Sequence, residues 1–170
     1  MYEAVVLDLD GTITDPRTGI TRSYQHALAT VGITVEDPDD LTWMIGPPLK
    51  ANLIAAGVVG EAIDTAAEAY RQRHWTVGLY EAEAIEGMPE LLADLHAAGV
   101  RLALATGKST EQGVATLKHF GLTDRFEVVG GAEPARGRVD KDDIVVQVLE
   151  ALGSPSPDRV AMVGDRRFDV

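Results

Sequence analysis

Four short apolar runs recur along this 170-residue chain, and they constrain its fold more than any other feature. The runs lie at residues 4–7, 101–105, 126–129 and 160–163. The first, second and fourth are almost continuously apolar, as is typical of parallel strands buried on both faces. We therefore predict four strands of one sheet.

Helical patterns separate the last three of these runs. Apolar residues recur at helical spacing over 88–95, and Gly99 follows as a stop signal. Residues 109–112 have the spacing of a capping box, which predicts the start of a second helix. A third apolar stripe covers 144–152. Strands that alternate with helices of this length predict βαβ units, a parallel sheet and the α/β class.

Residues 14–85 break this alternation, because they contain helical patterns and no comparable strand run. Tyr24, Ala27 and Leu28 share one helical face, and residues 64–75 form an Ala-rich helical stretch. We predict an α/β core domain formed by residues 1–13 and 86–170, with a helical domain of residues 14–85 inserted after the first strand.

The composition excludes several classes of partner and chemistry. Fifteen Lys and Arg against 27 Asp and Glu give a net charge of −12, so nucleic-acid polymers and anionic membrane surfaces are unfavourable partners. The absence of cysteine excludes disulfides and thiolate chemistry, and suits a reducing compartment. The N-terminus has no basic region, and Asp8 interrupts its apolar run, so we expect neither a signal peptide nor a membrane span. We expect a cytoplasmic protein.

The sequence Asp8-Leu9-Asp10-Gly11-Thr12 directly follows the first predicted strand. Alternation along the strand end places Asp8 and Asp10 on the same side, and Gly11 allows a sharp turn. Two carboxylates so close repel one another unless a cation lies between them. Taken alone, the motif fits an acidic surface turn equally well.

Polar residues also follow the other predicted strands. Thr106-Gly107-Lys108 comes after the second strand, Gly164 to Asp169 after the fourth, and Lys141 opens the last helix. The carboxyl ends of parallel strands meet at one edge of a sheet, where open α/β folds bind ligands. Several carboxylates with one hydroxyl and one ammonium suit Mg²⁺ and a phosphate that bridges them.

These motifs resemble those of the haloacid dehalogenase-like superfamily of phosphohydrolases, in the same order and at roughly the same spacing. The resemblance rests on DLDGT at 8–12, the apolar run that ends in Thr106, Lys141, and GDRRFD at 164–169. It implies a Rossmann-like parallel sheet core with a small α-helical cap inserted after the first strand. Short stretches at 45–49, 78–81 and 118–122 are similar to the branch of phosphoglycolate phosphatases and 5′-nucleotidases.

The resemblance also implies roles for individual residues. Asp8 would be the nucleophile that forms an aspartyl-phosphate, and Asp10 the general acid and then the base. Mg²⁺ would be held by Asp8, the backbone carbonyl of Asp10, and Asp165, with Asp169 as a further ligand or a partner of one. Thr106 and Lys141 would complete the catalytic set, with substrate contacts from Gly11, Thr12, Gly107 and Lys108.

The activity expected from this resemblance is Mg²⁺-dependent hydrolysis of a small phosphorylated metabolite, with phosphoglycolate as the first substrate. The alternatives are a 5′-nucleotidase acting on nucleoside monophosphates and a non-catalytic module that binds phosphate and Mg²⁺. The oligomeric state cannot be read from the sequence. Because the core in this superfamily normally continues beyond the last motif, we expect the natural protein to extend past Val170.

Weaker candidates each have a structural interpretation beside the functional one. Lys108 fits a solvated side chain as well as a phosphate contact. Cap cations could bind a second anionic group of the substrate or lie on the surface, namely Arg22, Lys50 and Arg71. Large aromatics could stack on a nucleobase or form the core of the insertion, namely Trp43, Trp75 and Tyr80. The four histidines lack metal-ligand spacing and are interpreted as structural or exposed: His26, His74, His96 and His119. Arg166 and Arg167 are expected to shape their loop.

Overall fold

The computed structural model describes residues 2–166 and Asp169. Its strands are β1 Ala4–Leu7, β2 Thr14–Asp15, β3 Glu83–Ala84, β4 Arg101–Ser109, β5 Phe126–Ala132 and β6 Val160–Val163. Its α-helices are α1 Arg17–Thr30, α2 Leu49–Ala55, α3 Ala62–Thr76, α4 Met88–Ala97, α5 Thr110–His119 and α6 Lys141–Ala151. Short 3-10 helices include Pro38–Met44 and Gly78–Glu81. The chain divides into two compact units, residues 1–15 with 83–170, and residues 16–82.

A four-stranded parallel sheet in the order β5-β4-β1-β6 organises the first unit. Leu7 at the end of β1 lies level with Leu104 on one side and Val163 on the other. The α/β class and the parallel sheet are therefore confirmed. After β1, the next strands of this sheet, β4 and β5, are added on one side of β1, whereas β6 is added on the other side. The strand order therefore reverses between β1 and β6, and open α/β folds bind ligands at the carboxyl end of the sheet at such a reversal.

Helices cover both faces of this sheet. On one face Val5 and Leu7 pack in a cluster with buried residues of α4 and α5, including Leu92 and Leu117. On the other face Val6 packs in a cluster with buried residues of α6. Burial on both faces explains why the strands read as continuous apolar runs rather than as alternating ones.

The predicted start of α5 follows from local capping. Ser109 Oγ accepts a hydrogen bond from the Gln112 amide at 3.2 Å, and the Gln112 side chain accepts one from the Ser109 amide at 3.2 Å. This reciprocal pair satisfies two amides that the first turn of α5 cannot satisfy internally. The capping box predicted from the sequence is thus present, and it anchors the chain directly after β4.

A short antiparallel pair of strands, β2 and β3, joins the two ends of the insertion, with Thr14 opposite Ala84. The sequence prediction assigned residues 14–15 and 83–85 to the insertion, whereas the contacts group residues through 15 and from 83 with the first unit. A strand pair of two residues has too little apolar pattern to be recognised in the sequence.

The second unit is a small helical assembly with its own apolar core. Tyr24 and Leu28 of α1 pack with Leu53 of α2 and with buried alanines of α3. Asn52 is also buried, and its amide donates hydrogen bonds to the Tyr24 hydroxyl at 2.8 Å and to the Met44 carbonyl at 2.6 Å. These bonds link α1, α2 and the 3-10 helix Pro38–Met44.

Three aromatic residues of the second unit, Trp43, Trp75 and Tyr80, do not belong to its core, contrary to their structural interpretation. Trp43 is 50% exposed, Trp75 is 42% exposed and Tyr80 is 45% exposed. The buried core cluster of this unit contains smaller residues such as Ala66 and Ala67 instead. Across the described residues, the structure contains no helix that is long and apolar enough to cross a membrane.

Candidate active site

The loop after β1 brings the first motif to the carboxyl edge of the sheet. The Asp8 amide donates a hydrogen bond to the Val163 carbonyl at 2.9 Å, which extends the β1–β6 pairing by one residue. Leu9 is fully buried and anchors the turn. Gly11 has φ of +84°, and a Cβ atom at this position would collide with the Asp165 carboxylate. The backbone conformation therefore favours glycine, and a larger residue here would displace the Asp165 carboxylate.

Three carboxylates converge at this edge, and we call Asp8, Asp165 and Asp169 the acidic cluster. Each offers one oxygen, and these oxygens all lie within 4.8 Å of one another. Asp8 and Asp169 are buried, whereas Asp165 is exposed. The Arg166 amide donates a hydrogen bond to Asp169 Oδ2 at 3.0 Å, which helps to hold that carboxylate in place.

Lys141, the first residue of α6, connects two members of the cluster. Its Nζ lies 2.8 Å from Asp8 Oδ1 and 2.8 Å from Asp169 Oδ1. Burial raises the pKa of the Asp8 carboxyl above its usual value, and the hydrogen bond and charge of Lys141 oppose this shift without cancelling it. The lysine thus stabilises the anionic form of a carboxylate that burial disfavours.

Thr106, Gly107 and Lys108 belong to β4, which continues to Ser109 instead of ending before them as the sequence suggested. Thr106 pairs with Gly131, and the next pair is Ser109 with Ala132. Gly107 and Lys108 are therefore inserted as an irregularity in the ladder. Such bulges occur beside active sites, where they redirect a side chain.

The bulge directs Lys108 toward the first motif. Its Nζ forms an ion pair with Asp10 Oδ2, and the two side chains are only 11% and 23% exposed. The Lys108 amide donates a hydrogen bond to Thr106 Oγ1 at 3.2 Å, and Thr106 is itself buried. The interpretation of Lys108 as a solvated side chain is therefore wrong.

The remaining residues of the motifs are placed as follows. The Thr12 hydroxyl is buried and has no hydrogen-bond partner within the described part of the chain. The space beside Gly107 where a Cβ would lie is open. Arg166 Nε is 3.9 Å from Asp165 Oδ2, so this arginine contacts its own loop. Arg167 and Phe168 of the same motif lie outside the described residues.

The donor set of the acidic cluster fits Mg²⁺. This ion prefers oxygen ligands, and three carboxylates with adjacent oxygens supply them. Lys141 and the more distant Arg166 provide two positive charges against the three carboxylates of the acidic cluster. A net negative charge remains, which favours a bound cation. The Asp10 side chain is not a member of this group, since it pairs with Lys108.

The weaker candidates of the second unit contact carboxylates. Arg22 NH1 lies 3.1 Å from Glu81, Lys50 lies 2.6 Å from Asp64, and Arg71 lies 3.4 Å from Glu68. No histidine belongs to a candidate metal-binding group within the residues that the structure describes.

The contact between Lys108 and Asp10 was missed by the sequence analysis. The available signal was a glycine near the end of a strand pattern, which often marks a bulge. That signal indicates an irregularity, but it does not identify the side chain that the bulge redirects. Because Asp10 and Lys108 are 98 residues apart, only the packed sheet brings them together.

This chain is similar in sequence to known proteins. A tyrosine-protein kinase, PtkA, of Mycobacterium tuberculosis is 42% identical over 168 residues, which cover 99% of this chain and 57% of the relative. A 5′-nucleotidase of Pseudomonas aeruginosa is 37% identical over 170 residues, which cover 99% of this chain and 76% of the relative. The chain thus spans little more than half the length of the kinase relative.

A solved structure and a family model assign the chain to a family. The crystal structure of a putative phosphatase from Clostridium difficile superposes with a TM-score of 0.93 at 36% identity, covering 99% of this chain and 78% of that one. The family model for haloacid dehalogenase-like hydrolases matches residues 5–170. The chain therefore belongs to the haloacid dehalogenase-like hydrolase family.

Proposed function

We propose that this chain hydrolyses a small phosphomonoester with Asp8 as the nucleophile. The observation that carries the proposal is Lys141, whose Nζ lies 2.8 Å from both Asp8 and Asp169 at the carboxyl edge of the sheet. An anionic nucleophile can approach an anionic phosphate only where positive charge offsets the negative charge that accumulates. The contacts of Lys141 supply such charge at the attacking atom.

The proposed reaction has two steps. In the first, an Asp8 carboxylate oxygen attacks phosphorus, and the bond between phosphorus and the leaving oxygen breaks while that oxygen takes a proton from Asp10. In the second, water attacks the aspartyl-phosphate and gives a proton to Asp10, and the bond from Asp8 to phosphorus breaks. Inorganic phosphate leaves, and both aspartates return to their initial states.

The surrounding residues hold the reactants. Mg²⁺ bound by the acidic cluster, with the backbone carbonyl of Asp10 as a further ligand, would offset charge on the phosphoryl oxygens. Thr106 and the amide of Gly107 would donate hydrogen bonds to the same oxygens. Lys141 would keep Asp8 ionised and oriented. Thr12 and Gly11 would shape the loop that carries the two aspartates.

Residues 16–82 would act as a cap that selects the leaving group. The core residues act on the phosphoryl group that all phosphomonoesters share, so discrimination between esters must come from other residues. The stretches at 45–49, 78–81 and 118–122 are similar to the branch of phosphoglycolate phosphatases and 5′-nucleotidases, and the 33% identity with a phosphoglycolate phosphatase of Rhodospirillum rubrum favours phosphoglycolate as the first substrate. The identity with the Pseudomonas 5′-nucleotidase favours nucleoside 5′-monophosphates as the alternative.

The test is release of inorganic phosphate from phosphoglycolate, nucleoside 5′-monophosphates, hexose phosphates and p-nitrophenyl phosphate, with Mg²⁺ or with EDTA. We expect turnover that requires Mg²⁺, is lost in Asp8→Asn and is retained in Asp94→Asn, which changes an exposed aspartate of α4. The ranking of substrates selects between the two ester classes. A folded protein that binds Mg²⁺ and releases no phosphate from any ester would instead be a binding module.

A second candidate is transfer of the phosphoryl group to a tyrosine hydroxyl. The observation that favours it is the 42% identity with a protein named as a tyrosine kinase. In the first step Asp8 would take the γ-phosphoryl group of ATP and ADP would leave. In the second, the tyrosine oxygen would attack the aspartyl-phosphate in place of water and give its proton to Asp10. Incubation with γ-labelled ATP and a tyrosine-containing peptide tests this candidate. Label in the peptide supports transfer, and label only in inorganic phosphate supports hydrolysis.

A further inference from the structure

We propose that Lys108 is a positioning residue that contacts Oδ2 of Asp10 and holds this carboxyl group where, protonated on Oδ1, it can protonate the leaving group. The proposal rests on the proposed function and assigns to Lys108 an action through Asp10 instead of a direct contact with phosphate. Its basis is the ion pair between Lys108 Nζ and Asp10 Oδ2, in which both side chains are largely buried.

The backbone of Lys108 is held on both sides. Its amide donates a hydrogen bond to Thr106 Oγ1 at 3.2 Å, and the capping box of α5 begins at the next residue, Ser109. The bulge in the pairing of β4 with β5 aims the side chain away from the regular strand positions. A lysine has four side-chain torsions, and an anchored backbone limits where its ammonium can reach.

The charges at this edge are divided between the two lysines. Lys141 contacts Asp8 and Asp169, whereas Lys108 contacts Asp10. Among the described residues, the Asp10 side chain accepts one hydrogen bond, from Lys108 Nζ to Oδ2. Oδ1 therefore remains available to carry the proton that the leaving oxygen receives.

Loss of this contact would release the Asp10 side chain. The Asp10 side chain is 23% exposed, so water would solvate it in several rotamers once the ammonium is removed. General acid catalysis needs the donor within hydrogen-bond reach of the leaving oxygen, and it contributes about 10²- to 10⁴-fold to the rate. Misplacing the donor costs a substantial part of this factor.

The test compares two leaving groups in Lys108→Met. Glycerol 2-phosphate releases a basic alkoxide that needs a proton, whereas p-nitrophenyl phosphate releases a stable phenolate that does not. We expect kcat/KM to fall roughly 10- to 100-fold for glycerol 2-phosphate and less than about 3-fold for p-nitrophenyl phosphate. The ratio kcat/KM is used because it reports the steps through loss of the leaving group.

Two further variants separate positioning from other effects. Lys108→Arg keeps a cation beside Asp10 and should recover most of the lost activity on glycerol 2-phosphate. Lys118→Met removes an exposed lysine of α5 and should match the wild type on both substrates. Equal losses on both substrates in Lys108→Met, with weaker inhibition by inorganic phosphate, would show that Lys108 binds the phosphoryl group and would overturn the proposal. No loss on either substrate would also overturn it.

A measurement without turnover distinguishes failure of this proposal from failure of the proposed function. The carboxyl carbon resonance of Asp10 in ¹³C NMR should shift in Lys108→Met and stay unchanged in Lys118→Met. An unchanged Asp10 resonance overturns the positioning role even if the wild type is active. If the resonance shifts but the wild type hydrolyses no ester, the contact between Lys108 and Asp10 is confirmed. The proposed function and the catalytic purpose assigned to Lys108 are then both refuted.

Discussion

Removing the ammonium of Lys141 should destabilise the protein in the absence of divalent cations. Lys141→Met keeps most of the apolar length of the side chain but leaves two carboxylates without their partner. Nζ is 2.8 Å from an oxygen of each, and the side chains of Lys141, Asp8 and Asp169 are 13%, 10% and 2% exposed. Water can therefore replace little of the lost interaction.

The magnitude follows from the burial of these groups. Breaking a buried ion pair by removal of one partner costs about 3–5 kcal/mol, because the remaining charge is uncompensated. Partial exposure of Lys141 and Asp8 places the expected loss near the lower end, about 3 kcal/mol. For a chain of this length, 1 kcal/mol corresponds to about 2–4 °C in Tm, so we expect a decrease of roughly 6–12 °C.

The assay is urea and thermal unfolding in EDTA and then in Mg²⁺, with Lys118→Met as the matched control. The control should remain within about 0.5 kcal/mol of the wild type, as is usual for surface substitutions. Mg²⁺ should stabilise Lys141→Met more than the wild type, since the cation binds a cluster that has lost a positive neighbour. Adding Asp169→Asn to Lys141→Met should restore part of the stability by removing one uncompensated charge.

Two results would refute this reasoning. Lys141→Met could unfold at the same urea concentration as the wild type in EDTA, which would mean that the carboxylates do not depend on the lysine. Alternatively, Mg²⁺ could stabilise the variant less than the wild type. The acidic cluster would then not be the site at which the cation binds.

Three further predictions concern backbone strain, buried polar groups and pH. Gly11→Ala forces a side chain into a backbone with φ of +84° and against the acidic cluster, so Mg²⁺ affinity measured by calorimetry should fall; unchanged affinity would argue against a cation there. Asn52→Leu leaves the buried Tyr24 hydroxyl unpaired and should cost about 1–3 kcal/mol in urea unfolding, whereas an unaltered midpoint would contradict the role of these bonds. Burial acts to raise the pKa of Glu81, but hydrogen bonds led by that from Arg73 outweigh it, and the pKa lies below its usual value. The ionised Glu81 therefore stabilises the fold above the usual pKa of a glutamate, and this contribution is lost as pH falls through the lowered pKa. Glu81→Gln should make the free energy of unfolding fall less steeply below about pH 4.5. An identical decline in both proteins would exclude this linkage.

Local patterns were sufficient to predict the secondary structure of the core. Apolar runs of four to five residues correctly marked β1 and β6, and the capping box at Ser109 correctly marked the start of α5, because these signals act within one turn or one strand. The α/β class followed from the alternation of strands and helices. The two-residue strands β2 and β3 could not be predicted, since each is too short to show a period.

The composition of the candidate site was also visible in the sequence. Asp8, Thr106 and Asp165 follow predicted strands, and parallel strands end at a common edge. The sequence therefore determined which chemical groups meet: carboxylates, a hydroxyl and ammonium groups. Trp43 and Trp75 show the limit of such reasoning, because burial depends on which helix faces pack together and both proved half exposed.

Only the tertiary structure decided how the charges at this edge are paired. The order of the strands brings Lys141 to Asp8 and Asp169, and the bulge in β4 turns Lys108 toward Asp10. Each of these contacts joins residues far apart in the chain. The strand order and the register shift in β4 determine where the two lysine side chains point, and no local sequence pattern specifies either. The sequence by itself determined the kind of chemistry available, and packing determined which lysine serves which carboxylate.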